Sequence, residues 1–471
     1  MSEKSTVIKI VIILFFLYLL LGAILPFVKQ PDLSAESKDK IDLESFYADK
    51  TSTEKAMLLD DNLKALEHRL RLINMAQESI ILTSFQYYID QAGKEVLLAL
   101  LNAADRGVHI KILLDGVNAI RLPHDQKYFM ALAQHKNIDF RLYNPISLFR
   151  PWSINGRMHD KYMIIDEQIY TLGGRNISSM FLGEAGDLKK IDWEVLVYNT
   201  EAGLGESGKA LLNYFNAIWD YEYTSPYTFK NNSISKHRIN TVLEELEGVE
   251  ENLKTNYPQI YQDFDYEKAT VETKAINLLA NPIHPYAKEP VVFATMAELM
   301  KRADTEVRLH TPYIIANKKM LESLDEICDS VPQVTMLTNS VQYNENPFAA
   351  VDYWQQRRTI LNTGIDILEL NNGKSYHGKA FTIDDRLASV GAFNWDMRST
   401  YIDTELMLVI DSKEFNQDLK DAFAQYEAEA IKVNKDNLDY MNQKTKEELP
   451  AFNKVKMFFA AFINLLFRYL L

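Results

Sequence analysis

Two sets of polar residues repeat in one frame. His159, Lys161, Asp166, Gly173 and Asn176 recur as His377, Lys379, Asp384, Gly391 and Asn394. Counted from each histidine, lysine follows at 2, aspartate at 7, glycine at 14 and asparagine at 17. At ordinary residue frequencies one such copy has a chance on the order of one in ten thousand, and two multiply the odds. The repeat predicts two similar halves, each delivering a histidine, a lysine and an asparagine to one place.

That set suits attack on a phosphodiester. The reaction needs a nucleophile that is neutral beforehand and a proton donor for the departing alkoxide. Imidazole fills either role near neutral pH. One histidine attacks to give a phosphohistidine. The other protonates the leaving oxygen and later deprotonates the acceptor alcohol. Residue types alone do not say which is which. Lys161 and Lys379 bring positive charge to the non-bridging oxygens, and Asn176 and Asn394 add amide donors there. Each such donor is worth about 3 kcal/mol of transition-state stabilisation. The chemistry calls for no cofactor and no metal, and no carboxylate cluster of the kind magnesium favours is evident.

Each imidazole needs a carboxylate to fix its tautomer and stabilise its charged form. Asp192 and Glu405 are the candidates, with Glu194 an alternative because Asp192-Trp193-Glu194 parallels Asp403-Thr404-Glu405 in frame. Surface acids at strand starts are the plainer reading of the same residues. Asp166 and Asp384 belong to the repeated set, but they follow alternating strands (162–165 and 380–383) and are expected to brace a turn rather than touch substrate.

The elements that must hold these groups are also repeated. Leu63, Leu66, Leu70 and Ile73 are spaced as a helix, followed by a strand at 80–85, a helix around 96–100 and a strand at 109–114. In the second half a helix over 293–302, a strand at 307–311, a helix over 319–328 and a strand at 333–337 follow the same order. Further strands at 138–143 and 365–370 precede the two motifs. This βαβ order predicts an α/β fold with a parallel or mixed sheet in each half.

A hydrophobic content of 47% with 25% charged residues marks a globular chain, and 471 residues suffice for two lobes with separate cores. The net charge of −14 weighs against nonspecific nucleic-acid binding, so no nucleic-acid partner is expected. Cys328 is the single cysteine, which rules out an intrachain disulfide.

Ile10 to Val28 runs nineteen residues without a charge, enough to span a bilayer as a helix. A cleaved signal peptide is the alternative, but no small-x-small cleavage site follows. Lys4 and Lys9 precede the span, predicting a cytoplasmic N-terminus and an extracytoplasmic body. The expected organisation is a membrane anchor at 1–30, a tether at 31–54, a first lobe at 55–225, an inter-lobe insertion at 226–285, a second lobe at 286–435 and an amphipathic tail at 436–471. The tail carries Phe458, Phe459 and Phe462 broken up by Lys454, Lys456 and Arg468, a composition suited to the membrane interface; a helix docked on the second lobe is the alternative.

The twice-used His-x-Lys-x4-Asp with a following Gly-x-x-Asn resembles the phospholipase D superfamily. The segments 157–161, 173–176 and 391–399 are most similar to bacterial cardiolipin synthases of the C type. The resemblance covers about 55–435. It implies two α/β/α lobes related by pseudo-two-fold symmetry, an active site at their interface and ping-pong phosphatidyl transfer, with His159 as nucleophile and His377 as general acid/base. It also brings Tyr313 near the site, where a core tyrosine would serve equally well. Gly174 and Ala392 stand where many members have serine, which favours transfer to an alcohol over hydrolysis. The implied substrates are phosphatidylglycerol and a second phospholipid or alcohol. Hydrolysis to phosphatidic acid is the competing reading; a nuclease and a dead scaffold are weaker ones.

Overall fold

The computed structural model describes residues 3–120, 125–449 and 451–471. Two mixed sheets carry the duplication. In the first, Tyr162–Ile165, the strand after His159, pairs antiparallel with Ser79–Ser84 on one side and Ile169–Gly173 on the other. Ser79–Ser84 continues in parallel to His109–Asp115 and Ile138–Tyr143, while Ile169–Gly173 pairs with Glu194–Asn199. The second sheet has the same order: Ala380–Ile383, after His377, lies between Glu306–His310 and Leu387–Gly391. Beyond these come Gln333–Asn339 and Asp366–Leu370 on one side and Leu406–Asp411 on the other. Parallel neighbours of this kind are buried on both faces over much of their length, so their strands carry apolar runs such as Ile112 to Leu114.

A shared core joins the lobes. Leu172 and Trp193 from the first pack with Leu337, Tyr376, Val390 and Phe423 from the second. Two further backbone junctions cross the interface. Lys190–Ile191 pairs in parallel with Ser375–Tyr376, and Met158 bridges to Thr404.

Several expected boundaries fall differently. The 226–285 segment is divided between the lobes instead of standing apart. Its helix Ser233–Asn256 buries Ile239, Val242, Leu246 and Leu253, an i, i+3, i+7 stripe laid on the first lobe. Its acidic face is partly spent on Glu245, which takes Lys94 at 2.5 Å and the Tyr128 hydroxyl at 2.6 Å. Ala275–Ala280 is already an edge strand of the second sheet. The 31–54 stretch, expected as a tether, lies along the second lobe because it has something to bury. Phe46 enters that core, Ser34 bonds Glu289, and Ala48 donates to Asp411.

The helix Glu3–Val28 is long and apolar enough to cross a membrane. It also touches the body. Tyr18 donates to the Phe149 carbonyl at 2.8 Å, Asn155 donates to the Ala23 carbonyl at 2.7 Å, and Phe27 is buried. The tail forms a helix, Ala451–Phe467, packed on Pro347–Asn362. Arg468 clamps it through buried Asp352, and Asn464 donates to the Phe348 carbonyl at 2.9 Å. One face of the tail thus packs on the second lobe, and the outer face leaves Phe458, Phe459, Phe462, Leu465 and Leu466 exposed.

Candidate active site

Both motif histidines follow a strand junction with the other lobe. The His159 amide donates to the Thr404 carbonyl at 3.2 Å, and its ring Nδ1 meets Glu405 Oε1 at 2.9 Å. The His377 amide donates to the Ile191 carbonyl at 2.8 Å, and its Nδ1 meets Asp192 Oδ2 at 2.6 Å. Each histidine is thus held, backbone and ring, by the strand start of the opposite lobe. With Nδ1 occupied, Nε2 is the nitrogen left to each ring for chemistry.

The acids pair across the two-fold in a way the sequence frame did not give. Strand register sets Gly173 against Glu194 and Gly391 against Met407, so the counterpart of Glu405 is Asp192. Glu194 turns away to Arg69 at 2.5 Å, both side chains buried. Ser399, missed in the sequence, completes the first arrangement by donating to Glu405 Oε1 at 2.6 Å.

His159, His377, Asn176 and Asn394 line one cavity of 330 Å³ at the lobe interface. Lys190, Tyr313, Arg398 and residues Leu470 and Leu471 share its wall. Phe85 and Phe181 set their ring edges against the two imidazoles, at 5.1 and 5.0 Å between centroids. Asn176 accepts the Gln86 amide through its oxygen at 3.1 Å, which leaves its NH2 as the donor. Lys161 and Lys379 are buried behind the rings and each donates to the carbonyl of its own histidine. Lys379 Nζ also lies 3.2 Å from His377 Nε2.

Asp166 and Asp384 stand apart from this group and brace turns. Each has positive φ, +49° and +48°. The Asp166 carboxylate takes the amides of Gln77, Glu78 and Ser79, and Asp384 those of Asp304, Thr305 and Glu306. The side chain so locks the strand after each motif to the strand beside it.

Two small residues make room. A Cβ on Gly174 would fall 2.2 Å from Asp192 Oδ1, so a serine does not fit beside the acid as placed. The second motif reads His-Gly-Lys because Trp193 fills the space beside Gly378, with its Nε1 2.3 Å from a Cβ there. In the first motif that position is Asp160, which accepts from the Tyr214 and Thr404 hydroxyls.

Burial dominates the electrostatics. It drives both imidazoles down: His159 well below the usual histidine range, helped by Lys161 and Lys379, and His377 to about 3, helped by Lys379 against the pull of Asp192. It also lowers Lys161 to about 8 and Lys379 to about 7, against the pull of Asp192 and Glu405. Burial would raise Asp192, but Lys379 and His377 outweigh it and keep this carboxyl below the ordinary value. Glu405 is pushed well above its ordinary value by burial, in spite of Lys161 and Ser399. The two halves match in shape, and the shifts of their acids run in opposite directions. Among the described residues, no group of three or more His, Cys, Asp or Glu side chains is arranged to hold a metal ion.

The chain is similar to known proteins over most of its length. The family model described as cardiolipin synthase, PLD-like domain, matches residues 70–219 and 296–426. An uncharacterized protein of Helicobacter pylori is 28% identical over 400 residues, covering 76% of each chain. Cardiolipin synthase C of Escherichia coli K12 is 26% identical over 424 residues, covering 79% of this chain and 84% of that one. The crystal structure of phosphatidylserine synthase from Haemophilus influenzae superposes over 90% of this chain and 99% of that one, with a TM-score of 0.61 and 14% identity, a likeness of fold. The chain belongs to the cardiolipin synthase, PLD-like domain family and is an enzyme of the phospholipase D superfamily.

Proposed function

We propose that the chain is a membrane-anchored phosphatidyltransferase that joins phosphatidylglycerol to a second phospholipid through a phosphohistidine on His159. The observation that carries this reading is the pair of imidazoles opening on one cavity, each held by a buried acid of the other lobe.

The charge difference between the acids supports the division of labour. Glu405 Oε1 receives the Ser399 hydroxyl, so it takes the His159 Nδ1 proton as a second donor and leaves the Nε2 lone pair for attack. Low basicity keeps His159 neutral at physiological pH. His377 faces an ionised Asp192, the better partner for an imidazolium. Before substrate enters, His377 is neutral as well; the entering phosphodiester anion favours uptake of a proton from solvent at His377 Nε2, giving the imidazolium that faces Asp192.

In the first step His159 Nε2 bonds to phosphorus, the bond to the head-group oxygen breaks, and His377 Nε2–H protonates that alkoxide. Glycerol leaves. In the second step the acceptor hydroxyl gives its proton to His377 Nε2 and its oxygen bonds to phosphorus as the P–N bond breaks. Lys161, Lys379, Asn176 and Asn394 are the donors to the non-bridging oxygens. The apolar helix Glu3–Val28 supports a single-pass anchor, and Lys4 and Lys9 support a body outside the cytoplasm.

Incubation with phosphatidylglycerol in detergent micelles tests the reading. Cardiolipin plus glycerol is the expected outcome. Phosphatidic acid alone would make the enzyme a hydrolase, and no product would refute the assignment.

A further inference from the structure

A lipid-to-lipid transfer places diacylglycerol on both sides of the reacting phosphate. The catalytic cavity, at 330 Å³, is at the small end of ligand sites, room for head groups but not for acyl chains. Two apolar exits are therefore required. One rim of the cavity is apolar already, with Met180, Ile315, Leu470 and Leu471.

A second space adjoins the cavity. A groove of 570 Å³ lies under the Ala451–Phe467 helix, with Leu188, Val341, Tyr343, Pro347, Leu449 and Met457 as its apolar lining and the charged Asp187, Lys189, Glu345, Lys374 and Lys456 around them. Its wall is common with the catalytic cavity: Lys189 and Glu345 face the groove, and their neighbours Lys190 and Asn346 face the cavity. Lys190 Nζ closes the gap on Glu345 at 2.5 Å. The Glu345 side chain is 47% exposed, so this pair contributes little stability and separates easily.

The position relative to the chemistry is specific. Lys190 Nζ sits 5.5 Å from the Phe181 ring centroid, and Phe181 abuts His377. The gap therefore opens beside the imidazole that takes the acceptor proton. The tail helix connects both openings, with Met457 at the groove and Leu470 and Leu471, just past its end, at the cavity. The outer face of this helix is apolar and exposed, from Phe458 at 73% to Leu465 at 80%. That surface belongs to the same body as the membrane-spanning helix.

We infer that the groove under the Ala451–Phe467 helix receives the diacylglycerol end of the acceptor phospholipid, with the Lys190–Glu345 ion pair as the gate to the catalytic cavity. The inference rests on the transferase reading and adds a second lipid site to it.

Two reactions of the full chain in mixed micelles of phosphatidylglycerol separate the sites. Exchange of the head group with radiolabelled glycerol needs only the catalytic cavity; cardiolipin formation needs the groove too. The double variant Leu188→Glu, Tyr343→Glu changes positions 73% and 40% exposed, outside the catalytic machinery. Cardiolipin formation is expected to fall about tenfold or more, the effect of losing one apolar contact and placing charge in its path. Glycerol exchange should stay within about twofold, as for ordinary surface changes. Unchanged cardiolipin formation, or an equal fall in both reactions, would overturn the second site while leaving the transferase reading in place. A wild-type chain that performs neither reaction would remove the transferase reading and this inference together.

Discussion

Asp192 Oδ2 and His377 Nδ1 meet at 2.6 Å although they lie 185 residues apart and in different lobes. The reciprocal contact, Glu405 to His159, spans 246 residues. Neither histidine meets its acid within its own half, so the two lobes build the candidate site together. Separate expression of the halves would leave each ring without its acid.

The charge difference between the acids gives a graded outcome. Asp192→Asn removes the anion that supports the His377 imidazolium and should lower kcat by about 10²–10⁴-fold, the range of general acid–base catalysis. Glu405→Gln keeps an acceptor for His159 Nδ1 and should cost less than about tenfold. Steady-state rates on phosphatidylglycerol compare them directly. An equal loss in the two variants would contradict the asymmetry.

Gly174 is fixed by Asp192. Gly174→Ser brings a Cβ against that carboxylate, so the acid must shift away from His377. Stability should drop by about 1–3 kcal/mol, as for overpacking in a tight site, and kcat should fall with it. Thermal unfolding and turnover measured together check this. Full activity in Gly174→Ser would show that the acid has slack.

The lysines set the alkaline limb. Lys379 at about 7 and Lys161 at about 8 are charged below these values and neutral above them. The charge that attracts the phosphodiester is therefore complete at lower pH and lost as pH rises through 7 to 8. kcat/KM should fall over that window, and kcat at higher pH, because the bound anion favours the protonated amine. Arginine stays charged, so Lys379→Arg should move the limb upward whatever its cost in rate. A kcat/KM profile that is flat or rising from pH 7 to 9 would contradict this.

The motif was readable because its residues keep fixed intervals within each lobe, and the strand order followed from the apolar run Ile80 to Leu82 and the alternation Val307-Arg308-Leu309. The pairing of acids with histidines was not, since it depends on how two lobes face each other and no local spacing encodes that. Glu194 illustrates the difficulty. Its Asp-x-Glu frame matches 403–405, yet strand register moves the correspondence to Asp192, because the loops after Gly173 and Gly391 differ in length. Ser399 and Leu470 reach the site from segments whose local sequence shows only a short helix and an apolar tail. The 31–54 stretch looked polar, and its contact with the second lobe rests on a few scattered groups: Phe46 in the core, Leu43 and Tyr47 beside it, and the Ser34 and Ala48 hydrogen bonds.

The central claim is that His159 carries the phosphoryl group and His377 the proton. A phosphodiester with a p-nitrophenol leaving group needs no acid for the first step but still needs a base for the second. His377→Ala should then release a burst near one equivalent of p-nitrophenol per chain, with the adduct mapped by mass spectrometry to the peptide bearing His159, and His159→Ala should give no burst. A burst from His159→Ala with the adduct on His377 would contradict the account.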